Sequence, residues 1–219
     1  MVHGNAPARE AMMKQLPNLL TGLRLALAVL LFLALATAAG AMPWLSDAPT
    51  GARFALQRWA LGAFVVGAVT DFFDGWLARR WNAVSVWGRI LDPIADKALV
   101  LAAILGLAAE PQGAGVVVAG GIILFREFAV SALREVVAGQ GLTLPVTKLA
   151  KWKTALQLTA LTFELVVTAW AALGLPPDPA SQATATLAAN ALLWLAAAVT
   201  LITGGDYLAQ AARALRGRG

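Results

Sequence analysis

The 219-residue chain has no cysteine, one histidine (His3) and only 13% charged residues. Without cysteine there is no disulfide framework, no thiolate nucleophile and no cysteine-ligated zinc. His3 sits in a polar N-terminal stretch, so catalysis falls to carboxylates, lysine, arginine and hydroxyls. Scarce charge, together with 59% hydrophobic residues and a mean hydropathy of +0.72, excludes an ordinary soluble domain. The charge that remains is basic, +5 net. In so apolar a chain that balance is a topology and lipid-surface signal, and nucleic acid is not expected as a partner.

Spanning a bilayer takes about 20 apolar residues per helix. Six segments qualify, near residues 17–40, 54–79, 87–109, 114–138, 148–174 and 183–209, separated by turn-rich stretches at 41–51, 110–113, 139–145 and 174–180. The expected fold is an all-α integral membrane protein with six transmembrane helices: one catalytic domain over 16–210, a cytoplasmic segment at 1–15 and a basic tail at 211–219. Arg9, Lys14, Arg24, Arg79, Arg80, Arg89, Arg134, Lys148, Lys151, Lys153, Arg213, Arg216 and Arg218 fall on one side of this arrangement, against Arg53 and Arg58 on the other. Both termini are therefore expected in the cytoplasm. The stretch from Leu25 to Ala41, ending Ala-Thr-Ala-Ala-Gly-Ala, also has the pattern of a cleaved leader; with five further spans after it, it is read as the first span. Trp44, Trp59, Trp170 and Trp194 are expected at membrane interfaces or in packing, and Asp47, Asp178 and Asp206 in loops or at helix ends.

Within this apolar chain, Asp71-Phe-Phe-Asp74-Gly75-Trp-Leu-Ala78-Arg79 is followed after eight residues by Gly88-Arg-Ile-Leu-Asp92-Pro-Ile-Ala-Asp96. A carboxylate at the centre of a membrane helix costs about 2.5–3.5 kcal/mol on insertion scales, so four of them need a strong positive counterpart in a water-accessible cavity. At about 100° per residue, Asp71, Asp74, Gly75 and Ala78 form one helical stripe with Arg79 at its edge. Gly88, Asp92 and Asp96 recur every fourth residue and share a face of the next helix. Two antiparallel helices joined by a short basic turn aim all four carboxylates at one point. Hard oxygen ligands without His or Cys favour Mg²⁺ or Mn²⁺, and a pair of such ions suits in-line phosphoryl displacement. Gly75, Ala78 and Gly88 either pack helices or clear space for a ligand at the backbone; beside the Asp stripe, ligand contact is the preferred reading.

The arrangement D-x2-D-G-x2-A-R-x8-G-x3-D-x3-D resembles the signature of the CDP-alcohol phosphatidyltransferase family, with every fixed position present. The resemblance implies six transmembrane helices, a homodimer, a polar metal cavity at the cytoplasmic face of the bacterial inner membrane, and transfer of a phosphatidyl group from a CDP-lipid to an alcohol with release of CMP. It implies Asp71, Asp74, Asp92 and Asp96 as metal ligands, with Asp96 also the general base. Thr21, Gly75, Ala78, Arg79 and Gly88 are implied at the CDP-lipid.

The flanks are most similar to the members of that family whose acceptor is glycerol 3-phosphate. They include Leu16-Pro-Asn-Leu-Leu-Thr21-Gly-Leu-Arg24, Arg126-Glu127-Phe-Ala-Val-Ser131-Ala-Leu-Arg134-Glu135 and Lys151-Trp-Lys153-Thr154-Ala-Leu-Gln157. Ala150 departs from the Gly expected there. The resemblance spans about residues 16–157 and leaves the last span uninformative. Arg24, Arg126, Arg134, Lys151 and Lys153 are the expected ligands of the acceptor phosphate, a task suited to guanidinium geometry. Arg126 and Arg134 lie about 80° apart around one helix. Glu127 and Glu135 are expected to pair with them, and any single basic residue near a membrane surface also serves topology. The expected substrates are CDP-diacylglycerol and glycerol 3-phosphate, among membrane lipids. The alternatives are the same chemistry with phosphatidylglycerol or inositol phosphate as acceptor, or a divalent-cation transporter, since intramembrane Asp residues mark ion paths as well.

Overall fold

The computed structural model describes the backbone of residues 6–81, 86–111, 113–145 and 148–216, and the side chains of 19–71, 91, 93–111, 113–145, 149–150 and 152–216. Six helices and no strands occur among these residues: α1 (Ala6–Ala38), α2 (Thr50–Trp81), α3 (Val86–Ala108), α4 (Ala114–Gly139), α5 (Lys148–Thr168) and α6 (Pro179–Arg216). Their positions match the six apolar segments. The terminal helices are longer than hydropathy alone indicates, because α1 starts at Ala6 and α6 continues to Arg216. Among the described residues, three helical stretches are long and apolar enough to cross a membrane: Leu19–Ala38, Ala114–Gly139 and Pro179–Arg216. The other helices carry much of the charge, Asp71, Asp74, Asp92 and Asp96 on α2 and α3 and Lys148, Lys151, Lys153 and Glu164 on α5.

The chain forms two compact units, residues 1–106 and 107–219. In the first, α1 packs along α2. Along α1 the buried residues Thr21, Arg24, Ala28, Leu31 and Leu35 recur at alternating three- and four-residue steps, the seam of a helix with one buried face, and burial widens at its end to take in Ala34, Ala36, Thr37 and Ala38. Ala60 and Phe64 of α2 are buried at the same spacing, and Gly67 and Asp71 continue that stripe. Both stripes thus change from apolar to polar along the helix, which carries Arg24 and Asp71 to the same level. Gly106 allows α3 to approach α1 closely: a Cβ there would stand 2.5 Å from Leu35 Cδ1 and 2.6 Å from Leu35 Cβ.

In the second unit α6 packs against both α4 and α5. Its buried stripe runs through Ala189, Leu193, Ala196, Thr200, Thr203, Tyr207 and Ala211. The α4 stripe runs through Val116, Ala119, Ile123, Arg126 and Val130, and that of α5 through Lys153, Gln157, Leu161 and Leu165. Val130, Val137, Leu144, Tyr207 and Ala211 close an apolar cluster. Two helix ends are set by glycine. At Gly40 and Gly141 φ is +73°, and the bonds Ala41 N–H to Ala36 O and Leu142 N–H to Val137 O close the left-handed turn that satisfies the last carbonyls. Asp178 begins α6: its Oδ2 accepts from the Ser181 amide at 2.8 Å and the Ser181 hydroxyl at 2.7 Å, with Pro179 at the first helical position. Asp47 is in a loop, whereas Asp206 lies inside α6, a helix that runs on past it to Arg216.

Many large apolar side chains face outward, among them Phe125, Trp152 and Leu187, far more than a water-soluble surface carries. Trp44, Trp59 and Trp194 are exposed with them, and Trp170 Nε1 donates to the Pro176 carbonyl at 2.8 Å.

Candidate active site

In the first unit the site is built around a buried arginine. Arg24, 2% exposed, donates from Nη1 to Asp71 Oδ1 at 2.8 Å and to Asp96 Oδ1 at 2.8 Å. Its partners come from α2 and α3, one from each half of the Asp motif. A single nitrogen therefore holds the two carboxylate oxygens no farther apart than twice that distance. The side chains of Asp71 and Asp96 are 38% and 51% exposed. Thr21 lies one turn before Arg24 on the same buried face. The backbone of Asp74, Gly75, Ala78 and Arg79 is in α2 and that of Gly88 and Asp92 in α3; their side chains, and that of Lys151, lie outside the described residues. Among the described residues no group of three or more candidate metal ligands occurs.

The donor set fits a hard divalent ion. Two carboxylates already converge on one positive centre while remaining partly exposed, and oxygen donors without thiol or imidazole suit Mg²⁺ or Mn²⁺. Arg24 supplies part of the compensating charge that four aspartates in an apolar helix pair require.

In the second unit Arg126, Glu127 and Lys153 form a buried ion group. Arg126 Nη1 donates to Glu127 Oε1 at 3.1 Å and Nη2 to Thr203 Oγ1 at 3.0 Å. Lys153 Nζ is paired with the same Glu127 oxygen. The guanidinium carbon lies 5.6 Å from the centre of the Tyr207 ring, within cation–π range. Gly204 leaves space for the arginine stem, since a Cβ there would be 3.0 Å from Arg126 Cγ. One carboxylate between two buried cations leaves the group with net positive charge, and Arg126 Nε is buried with no hydrogen-bond partner. A donor in that condition suits an incoming anion.

The residues expected at the acceptor phosphate are thus distributed. Arg126 and Lys153 come together, Arg24 belongs to the carboxylate group, and Arg134 is exposed because its offset around α4 turns it from the buried stripe. Glu127 pairs with Arg126 as expected. Thr203 and Tyr207 had no signal beyond their spacing in an apolar helix.

Residues 14–202 match the model of the CDP-alcohol phosphatidyltransferase family, and the chain belongs to that family. It is a transferase of phospholipid biosynthesis and a multi-pass membrane protein. Its relatives include the CDP-diacylglycerol--glycerol-3-phosphate 3-phosphatidyltransferase of Cereibacter sphaeroides, 39% identical over 178 residues, covering 69% of this chain and 80% of the relative. The protein of the same name from Rickettsia bellii is 41% identical, covering 67% and 76%. That from Bacillus subtilis is 36% identical, covering 70% and 73%. Membership in a transferase family sets the cation-transporter alternative aside.

Proposed function

We propose that this protein transfers the phosphatidyl group of CDP-diacylglycerol to glycerol 3-phosphate, giving phosphatidylglycerophosphate and CMP. The observation that carries the chemistry is the junction of Asp71 and Asp96 on Arg24, which unites the two halves of the Asp motif. The acceptor follows from the names of the relatives and from the buried, net-positive Arg126–Glu127–Lys153 group, which has the charge a phosphate-bearing acceptor needs and a lipid acceptor does not.

Asp71, Asp74, Asp92 and Asp96 would hold Mg²⁺ or Mn²⁺. When bound, such ions stabilise negative charge on phosphoryl oxygens. Arg79 neutralises charge on the departing CMP, while Thr21, Gly75, Ala78 and Gly88 border the CDP-lipid. Asp96 accepts the proton of the sn-1 hydroxyl as its oxygen attacks the phosphatidyl phosphorus. Arg24 fixes Asp71 and Asp96 and adds positive charge where the acceptor phosphate approaches them. Arg126 and Lys153, with Lys151 and Arg134, attract and orient that phosphate. Bringing two anions together is the main obstacle, so positioning and electrostatics carry the rate. The proposal includes six membrane-spanning helices, termini and active site on the cytoplasmic side of the bacterial inner membrane, and a homodimer.

Asp96→Asn tests the assignment of the base. It is expected to abolish CMP release while CDP-diacylglycerol binding, measured by fluorescent-analogue displacement, stays within a few-fold of wild type. Substantial turnover in that variant would remove Asp96 from the role.

A further inference from the structure

A cavity of about 240 Å³ lies wholly within the 107–219 unit. Glu164, on its wall, is eleven residues beyond Lys153 on α5, or about 16 Å along the helix at the usual rise, too far for the two to pair. Lysine, arginine and histidine are absent from residues 98–125 and 154–212, which include every described residue of the wall. None of these wall residues has a part in the proposed reaction.

Glu164 is the decisive group. It is 5% exposed, and its Oε1 is buried with no hydrogen-bond partner. A carboxyl oxygen in that condition calls for a donor, and two of the wall's donors are engaged elsewhere. The Thr186 hydroxyl donates to the Gln182 carbonyl at 2.8 Å, and Asn190 Nδ2 donates to the Thr186 carbonyl at 3.0 Å. Each of these bonds leaves the side chain's oxygen able to accept. Asn190 Oδ1 lies beside α4, where a Cβ on Gly115 would stand 2.6 Å from it. Glu110 also borders the cavity, engaged with a partner of its own.

We propose that this cavity binds a primary ammonium group, carried by a lipid head group or by a free amine, with Glu164 as its one anionic partner and Thr186 and Asn190 as further acceptors. A primary ammonium has three N–H donors and no acceptor, the complement of these oxygens. An isolated buried carboxyl keeps its proton. An ammonium beside it takes over that positive charge and leaves Glu164 as the carboxylate, held by a charge-assisted hydrogen bond. A phosphate or other anion finds no cation here. A quaternary ammonium has no N–H and is bound through aromatic rings, and no aromatic residue is among the described residues of the wall. With a water taking about 30 Å³, the volume also admits the first carbons of the amine's chain. The site is separate from the residues assigned to catalysis and stands independently of that assignment.

The test is native mass spectrometry of the purified full-length protein in detergent, titrated with phosphatidylethanolamine, with phosphatidylcholine of the same acyl chains, and with free ethanolamine. Binding of phosphatidylethanolamine at least about tenfold tighter than of phosphatidylcholine assigns the site to a lipid head group. Saturable binding of ethanolamine without that preference assigns it to a free amine. In either case Glu164→Gln, which keeps the shape without the charge, should weaken the amine's binding by at least about tenfold, with an unchanged elution profile and melting temperature as proof of folding. Should Glu164→Gln fail to fold, Thr186→Val is measured instead and should weaken the same binding by about threefold or more. Equal affinity for the two lipids with no binding of ethanolamine, or amine binding unchanged in whichever variant folds, would overturn the proposal.

Discussion

Arg24 and Asp96, 72 residues apart in sequence, are joined by a 2.8 Å hydrogen bond from Nη1 to Oδ1, and the same nitrogen reaches Asp71. Arg24→Ala leaves two carboxylates beside a buried space without their shared cation. Turnover is expected to fall by about 100-fold or more, the scale of losing one preorganised charged donor. Arg24→Lys should recover only part, because a compact ammonium at the end of a flexible stem does not reproduce the planar guanidinium. Steady-state CMP release at saturating CDP-diacylglycerol measures both; near-wild-type rates for Arg24→Ala would show that the junction is dispensable.

The Arg126 group makes a different prediction, confined to the acceptor. Arg126→Lys loses the forked contact with Glu127 and Thr203, and the KM for glycerol 3-phosphate is expected to rise by about tenfold or more. Affinity for CDP-diacylglycerol should change little. Tyr207→Leu, which removes the ring beneath the guanidinium, should move the same constant by a smaller factor, since such contacts contribute about 0.5–2 kcal/mol. Equal losses for both substrates would point to a folding defect instead.

Gly106→Ala is expected to destabilise the protein by about 1–3 kcal/mol, the usual cost of overpacking, because the added Cβ would meet Leu35 Cβ as well as its movable end. Leu35→Ala in the same chain should relieve most of the penalty relative to Leu35→Ala alone. Melting temperatures of the four proteins close the cycle, and additive losses would contradict the close approach of α1 and α3.

The start of α6 gives a pH dependence. The Ser181 hydroxyl, and after it the Ser181 amide, hold the Asp178 carboxyl below its ordinary value of 3.8. The folded pKa is depressed, so the capping contribution is fully present above the ordinary value and is lost as pH falls through the folded one. Asp178→Asn keeps an acceptor without the titration. Thermal melts carried from neutral pH down through the carboxylate range should show wild type losing more stability than Asp178→Asn; parallel curves would contradict the cap.

The positions of all six helices and the helical register of the Asp motif were legible from hydropathy and spacing. What was not legible was pairing at long range. Nothing local in Thr21-Gly-Leu-Arg24 indicates that its arginine closes on Asp71 and Asp96, because that contact depends on how three buried stripes align. Spacing puts Arg126 and Arg134 roughly on one side of α4, yet an offset of about 80° suffices for one to be buried and the other exposed. Thr203 and Tyr207 look like ordinary residues of an Ala/Leu-rich span until α4 brings Arg126 against them. Helix length was underestimated at both termini because polar residues continue a helix as readily as apolar ones once its first turns are fixed.

The central claim is tested most directly by CMP release from the purified protein with CDP-diacylglycerol and Mg²⁺ or Mn²⁺, offering glycerol 3-phosphate, phosphatidylglycerol or inositol phosphate in parallel. The account predicts release that requires the divalent ion and is selective for glycerol 3-phosphate. Release with phosphatidylglycerol or inositol phosphate instead, or equal release without divalent ion, would contradict it.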